Sequence, residues 1–375
     1  MIVDSMVEYV RRGRVDVALR YLREEEDPII RAELLSEMLK LAERVEDYLT
    51  IKKELIETAN SADEKKERAL LLSIIGEALI SAGEETEGVK FLKEATKTAQ
   101  RVPTPLWRAE ALTGVGINLT KAGFYEDAYD MFVKAFEALI TAKENETRKA
   151  IPLASRIAES IVKSAEFVSD GHWAILFFRL AAEIYDFIDL RFPAASIRAK
   201  EKIVERAIDG DIACLRRLLA ENQVDDAILL TRYLPLEYRP LGLLEVAFWL
   251  YSTDHPELAK PLFDEAHEIL RRIKSEKGTI NELEISSIAI DFAKLGKPEL
   301  ASKLADLLDR EDLFSEVLSR VAVAHYLSGD EFLARAIAHT IPDESIKRKI
   351  LQQIGGEAHV GYEQGLPVVS GREKR

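Results

Sequence analysis

The hydrophobic positions of residues 107–142 repeat at the spacing of two amphipathic helices joined by a short turn. Apolar and small side chains recur every three or four residues up to Lys121, and this pattern stops at Gly123. It resumes with Ala128 and Phe132 on one face of a second helix. Glycine suits a helix end at which the backbone becomes left-handed, because a Cβ makes that conformation costly. The stretch therefore predicts a helical hairpin that turns at Gly123.

The same hairpin pattern recurs along the chain as a small or polar turn residue followed five positions later by a small residue on an apolar face. The strong matches are Gly13/Ala18, Gly83/Gly88, Gly123/Ala128, Asn222/Ala227, Asp254/Ala259, Gly296/Ala301 and Gly329/Ala334. Weaker matches that would fill the widest gaps are Arg44/Leu49 and Ser169/Ala174. Since one hairpin cannot bury its apolar face alone, stacked hairpins should share one continuous core. We predict an all-α fold, an α-solenoid of about nine helical hairpins over residues 1–354.

Three segments depart from this regular pattern. A soft boundary between two sub-arrays is expected near Gly210, where the sequence reads Asp-Gly-Asp. The aromatic segment Trp173–Phe187 is interpreted as bulky core, with a ligand pocket as the alternative. Residues 355–375 lose the helical period, which predicts a flexible tail, and within it Leu366–Ser370 is an alternative docking motif.

Composition and charge restrict the class of protein further. Lys and Arg number 52 against 66 Asp and Glu, so the net charge is −14 and disfavours nucleic acid as a general ligand. The sequence shows neither a signal peptide nor an apolar run long enough to span a bilayer, which predicts a soluble protein. A lone Cys214 excludes an intramolecular disulfide and is consistent with a cytoplasmic location. The abundance of Glu, Lys and Arg resembles the composition of thermophile proteins.

The sequence shows no motif that would bind a metal or nucleotide or carry out catalysis. The six histidines form no pair at i, i+4 and have no second cysteine nearby, which argues against a zinc site. Gly114/Gly116 and Gly355/Gly356 lack the Lys-Ser/Thr ending of a phosphate loop. No nucleophile motif occurs either. We therefore predict no cofactor, no metal, no catalytic residue and no enzymatic activity.

Residues 107–142 resemble the tetratricopeptide repeat, a family with small residues at three fixed positions and an aromatic at a fourth. Gly116, Ala128, Phe132 and Ala135 stand at those four positions. Leu112 and Ile140 replace the family's tryptophan and closing proline, so related helical-hairpin families stay open.

The resemblance implies a right-handed α-α superhelix whose concave face, lined by the first helix of each hairpin, binds an extended peptide or a partner helix. The corresponding groove positions are Ser73, Glu77, Thr113, Ile117, Lys121, Phe248 and Tyr251.

The first functional hypothesis is a protein-protein interaction scaffold that binds another protein or a peptide in this groove. Replacing Phe248 and Tyr251 with Ala should then abolish binding without lowering thermal stability. The alternative from a different class is a helical-repeat RNA-binding or regulatory protein, which would need a basic groove. A third hypothesis is an enzyme with a pocket in residues 173–185.

Overall fold

Helices account for most of the computed structural model, which describes residues 8–355 except for the side chain of Lys277. The chain divides into two compact units, Met1–Asp211 and Ile212–Arg375, next to the boundary expected near Gly210. The described residues contain no β-strand, and the all-α prediction is confirmed. The expected tail lies outside the described residues from position 356 onward.

In the first unit, residues 8–11 are helical and are followed by nine further helices. These are α1 (Val15–Leu22), α2 (Pro28–Leu41), α3 (Val45–Asn60), α4 (Lys65–Ser81), α5 (Glu85–Gln100), α6 (Pro105–Lys121), α7 (Tyr125–Phe167), α8 (Gly171–Phe187) and α9 (Arg191–Ile208). Helix α7 bends at Glu146, whose φ of −137° and ψ of 50° are not helical. Its first half completes the hairpin that begins with α6, so the structure has two helical segments here in one continuous element.

In the second unit the described residues form α10 (Ile212–Ala220), α11 (Val224–Tyr233), α12 (Arg239–Ser252), α13 (Pro256–Lys277), α14 (Glu282–Lys294), α15 (Pro298–Ala305), α16 (Glu311–Leu327), α17 (Glu331–Thr340) and α18 (Glu344–Ile354). The first helices of successive hairpins pack in series: α10 on α12, α12 on α14, and α14 on α16. The second helices α11, α13, α15 and α17 each pack on their own first helix. Each unit is therefore a stack of helical hairpins, as an α-α superhelix requires.

All seven strong turn matches are confirmed. Their turn residues have φ between 60° and 90°, and the residue five positions later is buried in each case. At Gly123 the backbone N–H groups of Gly123 and Phe124 donate to the carbonyls of Thr120 and Leu119, at 3.0 and 2.9 Å. These bonds satisfy carbonyls that the end of α6 would otherwise leave without donors.

The two weaker matches do not describe left-handed turns. Arg44 has an extended backbone, with φ of −94°, and Leu49 is 57% exposed, so that match is wrong. Ala174 is buried, but the connection before it runs through the extended residue Asp170. The left-handed turn of this region lies instead at Asp189, with φ of 60°, and the buried Ala194 follows it by five positions.

Small residues allow the hairpins to close tightly. A Cβ added to Gly88 of α5 would lie 2.6 Å from the carbonyl oxygen of Gly76 in α4, so the two backbones are nearly in contact. A Cβ added to Gly116 would lie 2.7 Å from the ring of Phe132. The positions at which the repeat pattern places small residues are therefore the positions of closest helix approach.

The aromatic segment of residues 173–187 forms helix α8 and packs in the core. Phe177 and Phe178 are fully buried, and Phe177 meets Phe132 of α7 edge to face with ring centroids 5.3 Å apart. Trp173 packs on Tyr129 at 6.2 Å. The side chains of this segment thus join α8 to α7 in the core, as the sequence predicts.

Candidate functional site

Three of the predicted groove residues are buried between successive first helices. The hydroxyl of Ser73 accepts a hydrogen bond from Asn118 Nδ2 at 2.8 Å, which ties α4 to α6. The carboxylate of Glu77 pairs with Lys40 Nζ at 3.1 Å, which ties α4 to α2. Thr113 is 5% exposed and donates to a carbonyl of its own helix. These side chains stabilise the stack, and their contact with a partner stays a prediction.

The other predicted groove residues keep some exposure. Ile117 is partly exposed and Lys121 is exposed, both on α6. Phe248 and Tyr251 are partly buried and meet the core residue Phe292 edge to face, at 5.6 and 6.0 Å between ring centroids. Replacing both with Ala would therefore remove core contacts as well as any binding surface, so that variant cannot separate folding from binding.

Phe248 lines a cleft of about 450 Å³ in the second unit, across the first helices of three consecutive hairpins. Its walls come from α10 (Arg216, Leu219, Ala220), α12 (Glu245, Phe248, Trp249) and α14 (Ser287, Ile288, Asp291). On each helix these residues are spaced by one, three or four positions, which places them on one face. The opposite faces of α12 and α14 carry core residues such as Ala247 and Ala289.

The floor of the cleft is apolar. Leu219 is 7% exposed, while Phe248, Trp249 and Ile288 are each partly buried. The indole nitrogen of Trp249 has no acceptor among the described residues, and it can donate to a ligand. An apolar surface with a few polar groups at its edge is the usual composition of a ligand site.

Charged side chains mark two edges of the cleft. Arg216 Nη2 lies 2.6 Å from Glu245 Oε1, and Arg216 Nε donates to both carboxylate oxygens at 3.0 and 3.1 Å. These hydrogen bonds to Glu245 raise the pKa of the Arg216 guanidinium. Arg216 remains 64% exposed, and a guanidinium has five donors, so donors remain for a ligand. On the other edge, Asp291 accepts from Lys294 at 3.0 Å.

The side chains that line the cleft offer hydrogen-bonding and apolar groups for binding a ligand. None of the residues that line the cleft is a histidine or cysteine, and Glu245 is already paired. Across residues 8–355 the structure brings together no group of three or more His, Cys, Asp or Glu side chains that could hold a metal ion. Within the same residues, no helix combines the length and apolarity that crossing a bilayer requires.

The fold defines an all-α protein of stacked helical hairpins, and the chain is similar to solved structures. The crystal structure of Ton1535 from Thermococcus onnurineus NA1 is similar, with a TM-score of 0.55 and 22% identity over 94% of this chain and 99% of that chain. A circular tandem repeat protein also matches over 94% of this chain and 86% of its own, at 16% identity, but its TM-score of 0.19 carries no argument. No protein-family model matches the chain, and neither does any curated protein. The likeness to Ton1535 concerns the fold alone.

Proposed function

We propose that the protein is a non-enzymatic interaction scaffold of the tetratricopeptide-repeat type, which binds a peptide or a partner helix in the cleft across α10, α12 and α14. The observation that carries this proposal is that first helices from three consecutive hairpins turn apolar, partly exposed side chains into one cleft. A helix in a groove is held by apolar anchors at regular spacing, and aromatic anchors contribute most of the affinity. A cytoplasmic location is part of the same proposal.

The charges of the cleft support a protein ligand over RNA. Its arginine is paired with Glu245, and its other charged residue, Asp291, is a carboxylate that accepts from Lys294. A phosphate backbone is bound by unpaired Lys and Arg along its path. An apolar segment with a carbonyl for Trp249 and a carboxylate or carbonyl for Arg216 matches the cleft better.

The test is a blocking substitution that leaves the core intact. Ser287 is exposed and lines the cleft, so Ser287→Arg fills the cleft with a long side chain without removing a core contact. The matched control is Leu258→Arg, which places the same side chain at a 56% exposed position on the second helix α13. Circular dichroism and thermal melting of both variants should match the unmodified protein.

Binding is measured with peptides selected from a random phage-displayed library on the immobilised protein. We expect Ser287→Arg to weaken the selected peptides by at least about tenfold and Leu258→Arg to leave them unchanged. A ligand held at Trp249 should also shift its indole resonance in the NMR spectrum. The proposal is wrong if no peptide is enriched, or if the enriched peptides bind both variants equally.

A further inference from the structure

A partly buried arginine without a partner marks a second site, in the first unit. Arg108 on α6 has its Nε atom buried, and this atom makes no hydrogen bond within residues 8–355. The guanidinium also makes no ion pair there. The other arginine with a buried, unbonded Nε is Arg239, but its Nη2 pairs with Glu265 at 2.5 Å. Because a guanidinium is always charged, its burial is costly unless an anion or acceptor compensates for it.

Arg108 borders a cavity of about 360 Å³ between α5, α6 and the first half of α7. Gln100 of α5 contributes a further donor group to its lining, and so does Lys134 of α7, which also donates to Asp130 at 2.6 Å. Leu112 and Ala138 contribute apolar surface. Glu137 also lines the cavity but forms no ion pair with Arg108. The cavity can thus receive a carboxylate that accepts from Arg108 and its neighbours.

A second cavity of about 450 Å³ adjoins the first one at Gln100, which lines both. Its apolar residues are Val89, Leu92, Leu119 and Phe124. Along α5 the two cavities extend from Val89 to Gln100, a distance of roughly 17 Å at the rise of an α-helix. We call these two adjoining cavities, which are lined by the second helices α5 and the first half of α7, the outer groove.

The outer groove has a positive local charge in a chain whose net charge is −14. The cations that line it are Lys93, Lys97, Arg108 and Lys134, and the carboxylates are Asp127 and Glu137. Lys134 is already paired with Asp130 at 2.6 Å, so the excess of positive charge comes from Lys93, Lys97 and Arg108. Lys93 and Lys97 are exposed on one face of α5. Acidic ligands are therefore attracted to this surface although the protein as a whole repels them.

We propose that the outer groove binds an acidic amphipathic peptide segment of a partner protein, independently of the cleft in the second unit. One carboxylate of the peptide accepts from Arg108, further acidic side chains pair with Lys93 and Lys97, and apolar side chains enter the cavity lined by Leu92 and Leu119. A carboxylate fits a guanidinium through two parallel hydrogen bonds, which a lysine cannot reproduce. The apolar half of the groove distinguishes this ligand from a phosphate polymer, which has nothing to bury there.

The probe is a synthetic peptide of 15 residues that combines Glu and Leu at helical spacing, with a fluorescent label for anisotropy. Two control peptides replace every Glu with Lys, or every Leu with Ser. We expect saturable binding of the first peptide alone, which weakens with added salt. In the NMR spectrum the Nε–Hε resonance of Arg108 should move on binding. Inorganic phosphate and heparin serve as anions without apolar groups, and we expect neither to compete at equal charge concentration.

Substitutions distinguish a specific contact with Arg108 from nonspecific attraction to the positive charge of the groove. Arg108→Gln should weaken binding by about tenfold or more, as loss of a charged hydrogen bond does, and Arg108→Lys should restore little of it. The matched control is Arg101→Gln, which removes an exposed cation near the end of α5 that does not line either cavity. Glu137→Gln removes a negative charge that would repel the carboxylates of the peptide, so it should tighten binding. If Arg108→Gln fails to fold, the exposed pair Lys93→Glu and Lys97→Glu provides the same comparison.

Three results would overturn the proposal. The first is equal binding of the Glu and Lys peptides. The second is equal affinity of Arg108→Gln and Arg101→Gln for the Glu peptide. The third is a loss of stability in Glu137→Gln with no gain in affinity, which would show that Glu137 pairs with Arg108 in solution. Since Ser287→Arg lies in the other unit, it should leave this binding unchanged whether or not the cleft has a ligand.

Discussion

The contact between Gly88 and Gly76 leads to a prediction in which two effects of opposite sign compete. Replacing a glycine in a helix interior with Ala ordinarily stabilises the helix by about 1 kcal/mol. At Gly88, however, the new Cβ would lie 2.6 Å from the carbonyl oxygen of Gly76 and 3.1 Å from the backbone nitrogen of Ile80. Backbone atoms cannot rotate away, so α4 and α5 must separate by several tenths of an ångström. Forced separation of packed elements costs about 1–3 kcal/mol. We expect the cost of the clash to exceed the gain in helix propensity, so Gly88→Ala should lower the free energy of unfolding by about 1–2 kcal/mol.

The matched control is Gly114→Ala in α6. There the new Cβ would meet Cδ2 of Leu70 at 2.1 Å, the free end of a partly exposed side chain that can change rotamer. The helix propensity should then dominate, and Gly114→Ala should range from neutral to about 1 kcal/mol more stable.

Native-state hydrogen exchange measures both variants locally, which is necessary because the chain has two compact units. For Gly88→Ala, the protected amides of α4 and α5 should exchange about 5–30 times faster, which corresponds to the expected loss. If the amides of Gly88→Ala are protected from exchange as well as those of Gly114→Ala, or better, the close backbone contact at Gly88 does not restrict the side chain there. The reasoning from helix approach is then refuted.

Three further predictions concern the core and two titratable groups. Phe263 is fully buried and packs edge to face on a neighbouring ring, so Phe263→Ala should lower the free energy of unfolding of the second unit by about 3–5 kcal/mol. Phe332→Ala, at an 85% exposed position, should change it by less than about 0.5 kcal/mol in the same denaturation experiment. Hydrogen bonds from Arg23 lower the pKa of Glu54, so its contribution to stability is present above the unfolded pKa and is lost as the pH falls through the folded one. Glu54→Gln should then be less stable than the unmodified protein at pH 7, and the two should converge only once the pH falls below the lowered pKa of Glu54. Burial lowers the pKa of His267, so an NMR titration of its ring should give a midpoint below the usual value of about 6.5, and a midpoint above it would contradict the observed packing.

The hairpin architecture could be predicted from the sequence because left-handed turns and close contacts restrict residue type strongly. Gly123 and Ala128 are examples: one has a positive φ and the other is fully buried. The turn at Asp189 fits the same pattern as the predicted turn at Asp254, since the buried Ala194 follows it by five positions, but the weaker match Ser169/Ala174 was assigned to this region instead. The bend at Glu146 lies six residues before Pro152, which is inside α7, and a proline within a helical pattern is a signal for a kink that the hairpin pattern does not use.

The candidate site could be predicted only in part. Phe248 was identified from its position in the repeat, and the structure places it in the cleft. Trp249 and Arg216 were missed. The spacing pattern identifies equivalent positions within each hairpin, but it does not show which side chains of neighbouring hairpins lie next to each other. Ser73 and Glu77 occupy positions homologous to groove residues but are covered by the adjacent hairpins. Arg108 was missed for a related reason, since a missing partner becomes visible only when all neighbours are in place.

The cleft across α10, α12 and α14 has a mechanical consequence. Each of these first helices belongs to a different hairpin, and α12 packs on both α10 and α14, so a small rotation at each hairpin interface changes the width of the cleft. A ligand that contacts all three helices would oppose that rotation and make the stack of hairpins more rigid. Its binding free energy would then be shared among the interfaces between three hairpins, and unfolding that starts at either neighbour would have to release the ligand first. The same contacts that recognise a partner would thus set the stiffness of this part of the second unit.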